Sequence, residues 1–138
     1  RLLTVSRESA AILVLMSTPA NELTNRIIHE IYSCGGFAWR AESTGILDRQ
    51  KGIMRTAPKK GVADIIGCHE GWLVAIEVKV GSDKMSPEQI GFGKNVEHAG
   101  GIHYVAKEFD EFQQWWRNKI AWMKLQRELL EHRKDDKL

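Results

Sequence analysis

Residues 72–79 read Trp72-Leu-Val-Ala-Ile-Glu-Val-Lys79, a run of apolar residues that ends in two charges. The apolar part predicts a buried strand. Residues two apart in a strand point to the same face, so Glu77 and Lys79 leave one surface of the sheet together. Charged groups beside a buried core are costly unless they are paired or bind a metal ion. The end of this strand is therefore the first candidate for a functional site.

Asp64 is a second charge of this kind, since it interrupts the apolar run of residues 62–66. We expect this run to form a strand and residues 67–71 to form the hairpin turn that follows it. Antiparallel neighbours bring Asp64 within reach of Glu77, although the register does not follow from the sequence. Two carboxylates and a lysine at one sheet edge suit Mg²⁺ or Mn²⁺, which favour oxygen ligands. An ion pair of Lys79 with Glu77 or with Asp64 is the structural alternative.

The segments before the hairpin predict a helix, a strand and a long loop. Thr18 and Pro19 are typical of a helix start, and residues 34–36 contain the glycines that end the helix. The alternation in residues 37–43 predicts a strand, and residues 44–61 hold the glycines and the proline of a loop. A loop this long inside a small domain is often functional.

Basic residues are concentrated in and around this loop. They are Arg40, Arg49, Lys51, Arg55, Lys59 and Lys60. Only Glu42 and Asp48 oppose them, so contact with the phosphates of a nucleic acid is the functional interpretation. A solvated surface is the alternative.

The segments after the hairpin predict two more helices and one more strand. Ser86, Pro87 and Gln89 form the pattern of a capping box at a helix start. Residues 102–106 predict a strand, and residues 110–131 predict a long amphipathic helix. The order of elements indicates an α/β fold, a mixed β-sheet flanked by helices.

Length and composition bound the domain organisation. A chain of 138 residues with 43% hydrophobic and 28% charged residues fits one compact globular domain. We assign this domain to residues 17–131, with residues 1–16 as an N-terminal extension and residues 132–138 as a charged tail. The net charge of +2 is too small to indicate a nucleic-acid partner by itself.

The cysteines and the N-terminal segment indicate the cellular compartment in which the chain is expected to work. Cys34 and Cys68 form neither a disulfide framework nor a zinc-ligand pattern, which favours a reduced, cytoplasmic environment. The apolar run of residues 10–16 is too short to span a bilayer, so no membrane partner is expected. Zinc is not expected either, because the histidines are scattered.

The sequence resembles the VRR-NUC family of the PD-(D/E)xK nuclease superfamily. The resemblance runs from Asn21 to about Trp116 and is carried by short motifs in a fixed order. They are Asn21-Glu-Leu-Thr24, Phe37-Ala-Trp-Arg40, Gly61-Val-Ala-Asp-Ile-Ile-Gly67, Ile76-Glu-Val-Lys79, Ser86-Pro-Glu-Gln89 before Phe92, and Gly100-Gly-Ile-His-Tyr-Val-Ala106. Each motif is unspecific alone, and the order gives the resemblance its weight. Ala63 departs from the proline or serine that the family usually has before the aspartate.

The resemblance implies a restriction-endonuclease-like sheet with the core order αβββαβα, and a role for each matched residue. It implies Mg²⁺ or Mn²⁺ as the cofactor, held by Asp64 and Glu77 with help from the carbonyl of Val78. Lys79 would be catalytic. It also implies a carboxylate from the first helix, for which Glu22 fits better than Glu30. Gln89 matches a helix glutamine that touches the metal-water shell or the lysine, and it also fits the capping box.

The implied activity is that of a stand-alone endonuclease of phage or bacterial type, acting on branched DNA such as four-way junctions. A homodimer is expected, since a junction has two equivalent strands. Residues 10–16 and the tryptophan-rich last helix offer apolar surface for it. A catalytically inactive nuclease-fold DNA-binding module, a sequence-specific restriction-type endonuclease and an α/β metabolic protein with a plain ion pair are the alternatives.

Overall fold

The structure, a computed structural model, describes residues 17–41, 46–55 and 59–135. The predicted N-terminal extension, residues 1–16, and the end of the predicted tail lie outside the described residues. In chain order the elements are α1 (Pro19–Ser33), β1 (Phe37–Arg40), β2 (Ile46–Asp48), β3 (Ile53–Arg55), β4 (Ile65–His69), β5 (Trp72–Val78), α2 (Pro87–His98), β6 (Ile102–Ala106) and α3 (Phe109–Asp135).

Four of the strands form a mixed sheet in the order β1-β4-β5-β6. The pairs β1/β4 and β4/β5 are antiparallel, and β5/β6 is parallel. Helices α1 and α3 pack on one face, where Ile27, Phe112 and Trp116 join Val74 and Ile76 in the main core. Helix α2 packs on the other face over β5 and β6. The prediction of an α/β fold with a mixed sheet flanked by helices is confirmed.

The β4–β5 hairpin differs from the prediction in where its turn lies. The turn is Glu70-Gly71, both with positive φ (51° and 84°), and His69 pairs with Trp72. Two such residues are typical of the tight turn that matches strand twist. The predicted turn at residues 67–71 was wrong because Gly67 is a packing glycine inside β4. A Cβ there would lie 2.7 Å from the carbonyl oxygen of Phe37 in the neighbouring strand.

The predicted loop over residues 44–61 is also wrong in part. It contains a small hairpin, β2 paired with β3, whose turn includes Gly52 at φ 62°. Strand β1, predicted over residues 37–43, ends at Arg40. The prediction took the glycines as residues that interrupt secondary structure. A glycine with positive φ, such as Gly52, can also form the turn of a hairpin.

Helix α3 runs further than predicted, since it continues through Asp135 into the segment assigned to a charged tail. Glutamate, arginine and lysine are good helix formers, and His132, Arg133 and Lys134 lie in the last turn, where positive charge is favourable. In the described part of the chain, no helix is both long and apolar enough to cross a membrane.

Candidate active site

Asp64 directly precedes β4, and Glu77 lies on the neighbouring strand β5, at one end of the sheet. Ile65 pairs with Ile76, and one further step of the same register sets Asp64 opposite Glu77. Asp64 is fixed on both sides: its Oδ2 accepts a hydrogen bond of 2.7 Å from the backbone N–H of Val78, and its carbonyl accepts one of 2.8 Å from Ala41. The hairpin, with the residues that directly adjoin its strands, therefore brings the two carboxylates together.

Glu77 is a carboxylate in an apolar environment, with a side chain only 1% exposed. Its Oε1 accepts a hydrogen bond of 2.8 Å from Nε2 of Gln89, whereas its buried Oε2 has no hydrogen-bond partner among the described residues. Burial, and then the negative charge of Asp64, raises the pKa of Glu77 to about 8. A proton bound to Oε2 of Glu77, or a cation beside it, would satisfy this oxygen.

Lys79 lies between two carboxylates and is 8% exposed. Its Nζ is 3.8 Å from Oε1 of Glu77 and 3.4 Å from Oδ2 of Asp83. The ion pair of Lys79 with Glu77, the structural alternative, is therefore present, but it is longer than a charge-assisted hydrogen bond and leaves Oε2 of Glu77 without a hydrogen-bond partner among the described residues. The sequence reasoning missed Asp83. The only signal for it was an acidic residue four positions after Lys79 in a polar loop.

Gln89 has the two roles that its position in the sequence suggested. It completes the capping box with Ser86. The backbone N–H of Gln89 donates to Oγ of Ser86 at 3.2 Å, and Oε1 of Gln89 accepts from the backbone N–H of Ser86 at 2.9 Å. The remaining Nε2 group reaches Glu77. Gly61, at φ 76°, sits against this helix start, and a Cβ there would clash with the carbonyl oxygen of Glu88. The segment leading to Asp64 and the helix carrying Gln89 are therefore packed directly together.

These side chains border one cavity of about 500 Å³. Its lining residues are Ala20, Asn21, Thr24, Arg40, Ala41, Asp64, Glu77, Val78, Lys79, Asp83 and Gln89. The cavity thus gathers the residues matched to the metal, the lysine and the glutamine, together with one arginine of the predicted basic group.

The structure does not place the predicted carboxylate of the first helix at the cavity. Among the described residues, neither Glu22 nor Glu30 lines the cavity. Helix α1 turns Asn21 and Thr24 toward it, and at roughly 100° per residue Glu22 falls on nearly the opposite side of the helix. Glu30 instead lies 3.7 Å from Arg117 on α3. To this cavity α1 supplies an amide and a hydroxyl, and the role of Glu22 as a metal ligand stays a prediction.

Arg40 is held beside the cavity by neutral groups. One guanidinium nitrogen donates to Oδ1 of Asn21 at 2.8 Å and the other to Oδ1 of Asn25 at 3.4 Å. Within the described residues its recorded partners carry no charge, so the positive charge of Arg40 stays available to an anion.

The rest of the predicted basic group lies elsewhere. Arg49, Lys51, Lys59 and Lys60 are exposed and do not line the cavity. Arg55 ends β3, and its side chain lies outside what the structure describes. Among the side chains of this group that the structure describes, only Arg40 is therefore placed next to the carboxylates.

The donor set at the cavity fits a hard divalent cation with few protein ligands. Asp64 and the unpartnered Oε2 of Glu77 offer carboxylate oxygens, and the carbonyl of Val78 is a further candidate. Within residues 17–41, 46–55 and 59–135 no group of three or more histidine, cysteine, aspartate or glutamate residues is arranged to hold a metal ion. A structural zinc site commonly takes four protein ligands, more than the two carboxylates at this cavity. Mg²⁺ suits the pair better, because it is commonly held by one or two carboxylates with waters and phosphate oxygens.

No model of a known protein family matches the sequence of this chain, and no curated protein is significantly similar to it. The chemistry of the cavity is therefore inferred from its own residues. Two carboxylates, a lysine and a neutrally held arginine can together bind a divalent cation and a phosphate group.

Proposed function

We propose that the chain is a metal-dependent endonuclease that hydrolyses the phosphodiester bonds of DNA in this cavity. The observation that carries the proposal is the buried Glu77, whose Oε2 lacks a partner beside Asp64 while its pKa is raised to about 8. A carboxylate kept unsatisfied in this way costs stability, which is common where a residue is retained for function.

The residues divide the work by position. Asp64, Glu77 and the carbonyl of Val78 would hold Mg²⁺ or Mn²⁺. When bound, the cation acidifies water and offsets negative charge on the phosphate. Lys79, with Nζ 3.8 Å from Glu77, orients the attacking water and neutralises charge that develops on the phosphate oxygens. In-line attack then leaves a 5′-phosphate end.

Two further residues act by positioning. Gln89 holds Oε1 of Glu77 and so leaves Oε2 directed to the cation. Asp83 lies on the other side of Lys79 and keeps its ammonium at the cavity rather than in solvent. Arg40 binds a phosphate next to the one that is cut.

The proposed family is VRR-NUC within the PD-(D/E)xK superfamily. Besides the sequence motifs, the order of elements supports it: with the β2–β3 hairpin set aside, the chain runs αβββαβα. The position of Glu22 departs from the expected pattern, since Asn21 and Thr24 of the same helix line the cavity and Glu22 does not.

Branched DNA and a homodimer are part of the same proposal. Paired cuts at a four-way junction need two active sites, and one chain has one such cavity in its described part. Some of the tryptophans expected at an interface pack within the monomer, since Trp116 is fully buried and Trp115 stacks on Tyr104 with centroids 4.0 Å apart. Partly exposed apolar residues remain on α3 for a partner copy, namely Trp122, Leu125, Leu129 and Leu130.

A cleavage assay tests the proposal. Labelled linear duplex and a four-way junction are incubated with the chain in Mg²⁺, in Mn²⁺ or in EDTA. We expect cleavage with either ion, none in EDTA, and faster cutting of the junction. An Asp64→Asn protein purified in parallel controls for contaminating nucleases. A folded chain that cuts neither DNA in either ion would leave an inactive DNA-binding module, or a protein that does not act on DNA, as the better interpretation.

A further inference from the structure

The sheet face that carries the catalytic carboxylates is only half covered. Helix α2 packs over β5 and β6, where Ala75 meets Val96. Strand alternation puts Glu77 on the same face as Ala75. The β1 and β4 half of this face is open, since Phe37, Trp39 and Cys68 are exposed.

The open half carries Phe37 and Trp39, and Tyr32 from the end of α1 contacts Phe37 at the edge of the sheet. We call these three rings the aromatic surface. Their side chains are 49%, 56% and 47% exposed. Tyr32 contacts Phe37 edge-on at 5.9 Å between centroids, and Phe37 lies 5.4 Å from Trp39. Strand β1 therefore buries its smallest side chain, Ala38, and turns its two largest to solvent. Apolar rings grouped at the surface mark a binding site more often than scattered ones do.

The aromatic surface leads directly to the cavity. Trp39 is followed by Arg40 and Ala41, both of which line the cavity, and Ala41 donates its N–H to the carbonyl of Asp64. At about 3.3 Å per residue, Phe37 to Ala41 spans about 13 Å, or a few nucleotides at about 3.4 Å per stacked base. The register pairs Trp39 with Ile66 and Ile66 with Ala75, which puts Trp39 on the face of Glu77, whereas Arg40 alternates to the face of α1. A DNA strand whose phosphate lies beside the carboxylates of the cavity therefore passes Phe37 and Trp39 on the same face.

We propose that the aromatic surface stacks unpaired bases of the DNA strand that enters the cavity. The inference rests on the proposed function for the direction of that strand. It deepens the function by naming the substrate class, DNA with single-stranded character next to the cut. Aromatic rings beside a fixed cation are the usual means of binding unpaired bases, because every base has a face that stacks.

A second copy of the chain is a less fitting occupant of the aromatic surface. Three half-exposed rings offer about 300 Å². A stable protein interface needs about 800 Å² from each partner. One or two bases need only the area that the rings supply.

Binding in EDTA tests the inference without depending on cleavage. Fluorescence anisotropy is measured with a short deoxythymidine oligonucleotide and with a blunt duplex of the same length. At about tenfold per stacked base, we expect Phe37→Ala/Trp39→Ala to weaken single-strand binding by about a hundredfold and duplex binding by less than about twofold. Met54→Ala, which removes an exposed apolar side chain on β3, is the control and changes neither affinity.

A second measurement uses the unaltered chain, so it does not depend on the variant folding. An abasic oligonucleotide keeps the phosphates of the deoxythymidine strand and lacks its bases, and we expect it to bind about a hundredfold more weakly. Equal affinity for the deoxythymidine and the abasic oligonucleotide overturns the inference. An equal loss of affinity for the duplex and for the single strand in Phe37→Ala/Trp39→Ala overturns it as well. A wild-type dimer that becomes monomeric in that variant, with single-strand binding unchanged, assigns the surface to a second copy instead. Base-dependent binding by a chain that never cuts DNA disproves the endonuclease alone.

Discussion

The two ends of the β4–β5 hairpin each carry a glutamate and partner it in opposite ways. At the turn, Oε2 of Glu70 accepts a hydrogen bond of 2.6 Å from Arg127, and this contact lowers the pKa of Glu70. At the far end, Glu77 is buried with its nearest recorded cation, Lys79, 3.8 Å away, and its pKa is raised to about 8. The first glutamate has a counter-charge at hydrogen-bond distance, whereas the second has a lysine only at 3.8 Å.

The arginines at the two ends differ in the same sense. Arg127 is engaged by Glu70 and Glu131, and it borders a cavity of about 480 Å³ whose other lining residues are mostly apolar. Arg40 is held by two asparagines and keeps its charge for an anion. At the turn, each charge of the pair meets an opposite charge at hydrogen-bond distance, whereas at the far end Oε2 of Glu77 and the charge of Arg40 have no such partner among the described residues. This difference is the basis of the proposed binding of a divalent ion and a phosphate group.

The largest expected effect contrasts the two glutamates directly. Glu77→Gln keeps the shape of the side chain and removes one of two metal-binding carboxylates, so we expect the initial rate of DNA cleavage in Mg²⁺ to fall by about three orders of magnitude. Glu70→Gln removes a carboxylate from the turn and should leave the rate within about twofold. Near-normal cleavage by Glu77→Gln would show that the buried glutamate is a structural residue.

The next effect is the pH dependence of stability in EDTA. The native pKa of Glu77 lies near 8, above its ordinary value of 4.5, so between these values the native chain holds a proton that the unfolded chain releases. The free energy of unfolding should therefore fall as pH rises from about 5 to 8, by an amount on the order of a few kcal/mol. Mg²⁺ added at pH 8 should restore part of it.

Urea denaturation at several pH values measures this slope, and the two glutamate variants serve as controls. Glu77→Gln cannot titrate and should flatten the profile. Glu70→Gln should keep the wild-type profile in this window, because the lowered pKa of Glu70 affects stability only at more acidic pH. Parallel profiles for the wild type and Glu77→Gln would assign the titration to another group.

The parts of the site that follow from the sequence are those set by local rules. Strand alternation places Glu77 and Lys79 on one face, and the capping box fixes the start of α2 at Ser86 and Pro87. A short connection between two apolar runs predicts an antiparallel hairpin, which gives the approach of Asp64 to Glu77.

The parts that do not follow depend on contacts between distant segments. Gly67 looks like a turn residue until the close passage of β1 is known, and Glu22 looks like a cavity residue until the rotation of α1 about its axis is known. The burial of Ala38 in place of Trp39 likewise depends on which face of β1 meets the helices. The hydrophobic pattern shows whether a segment repeats as a helix or as a strand, but contacts with other segments decide which of its faces is buried.

The smallest expected effect contrasts the two arginines. Each phosphate contact changes the slope of log affinity against log salt by about 0.9 for duplex DNA. If Arg40 holds a phosphate, Arg40→Gln should weaken DNA binding several-fold and make the slope shallower by about one. Arg127→Gln should change neither, because that guanidinium is already engaged by two carboxylates.

Anisotropy titrations over a range of salt concentrations in EDTA measure both slopes, with Lys59→Gln/Lys60→Gln as a third protein. A shallower slope in the lysine variant with no change in Arg40→Gln would move the phosphate contacts to the basic loop predicted from the sequence. Equal changes in Arg40→Gln and Arg127→Gln would mean that only net charge matters, because both variants lose the same single charge. The contrast between the two ends of the hairpin survives only if position, and not total charge, sets the slope.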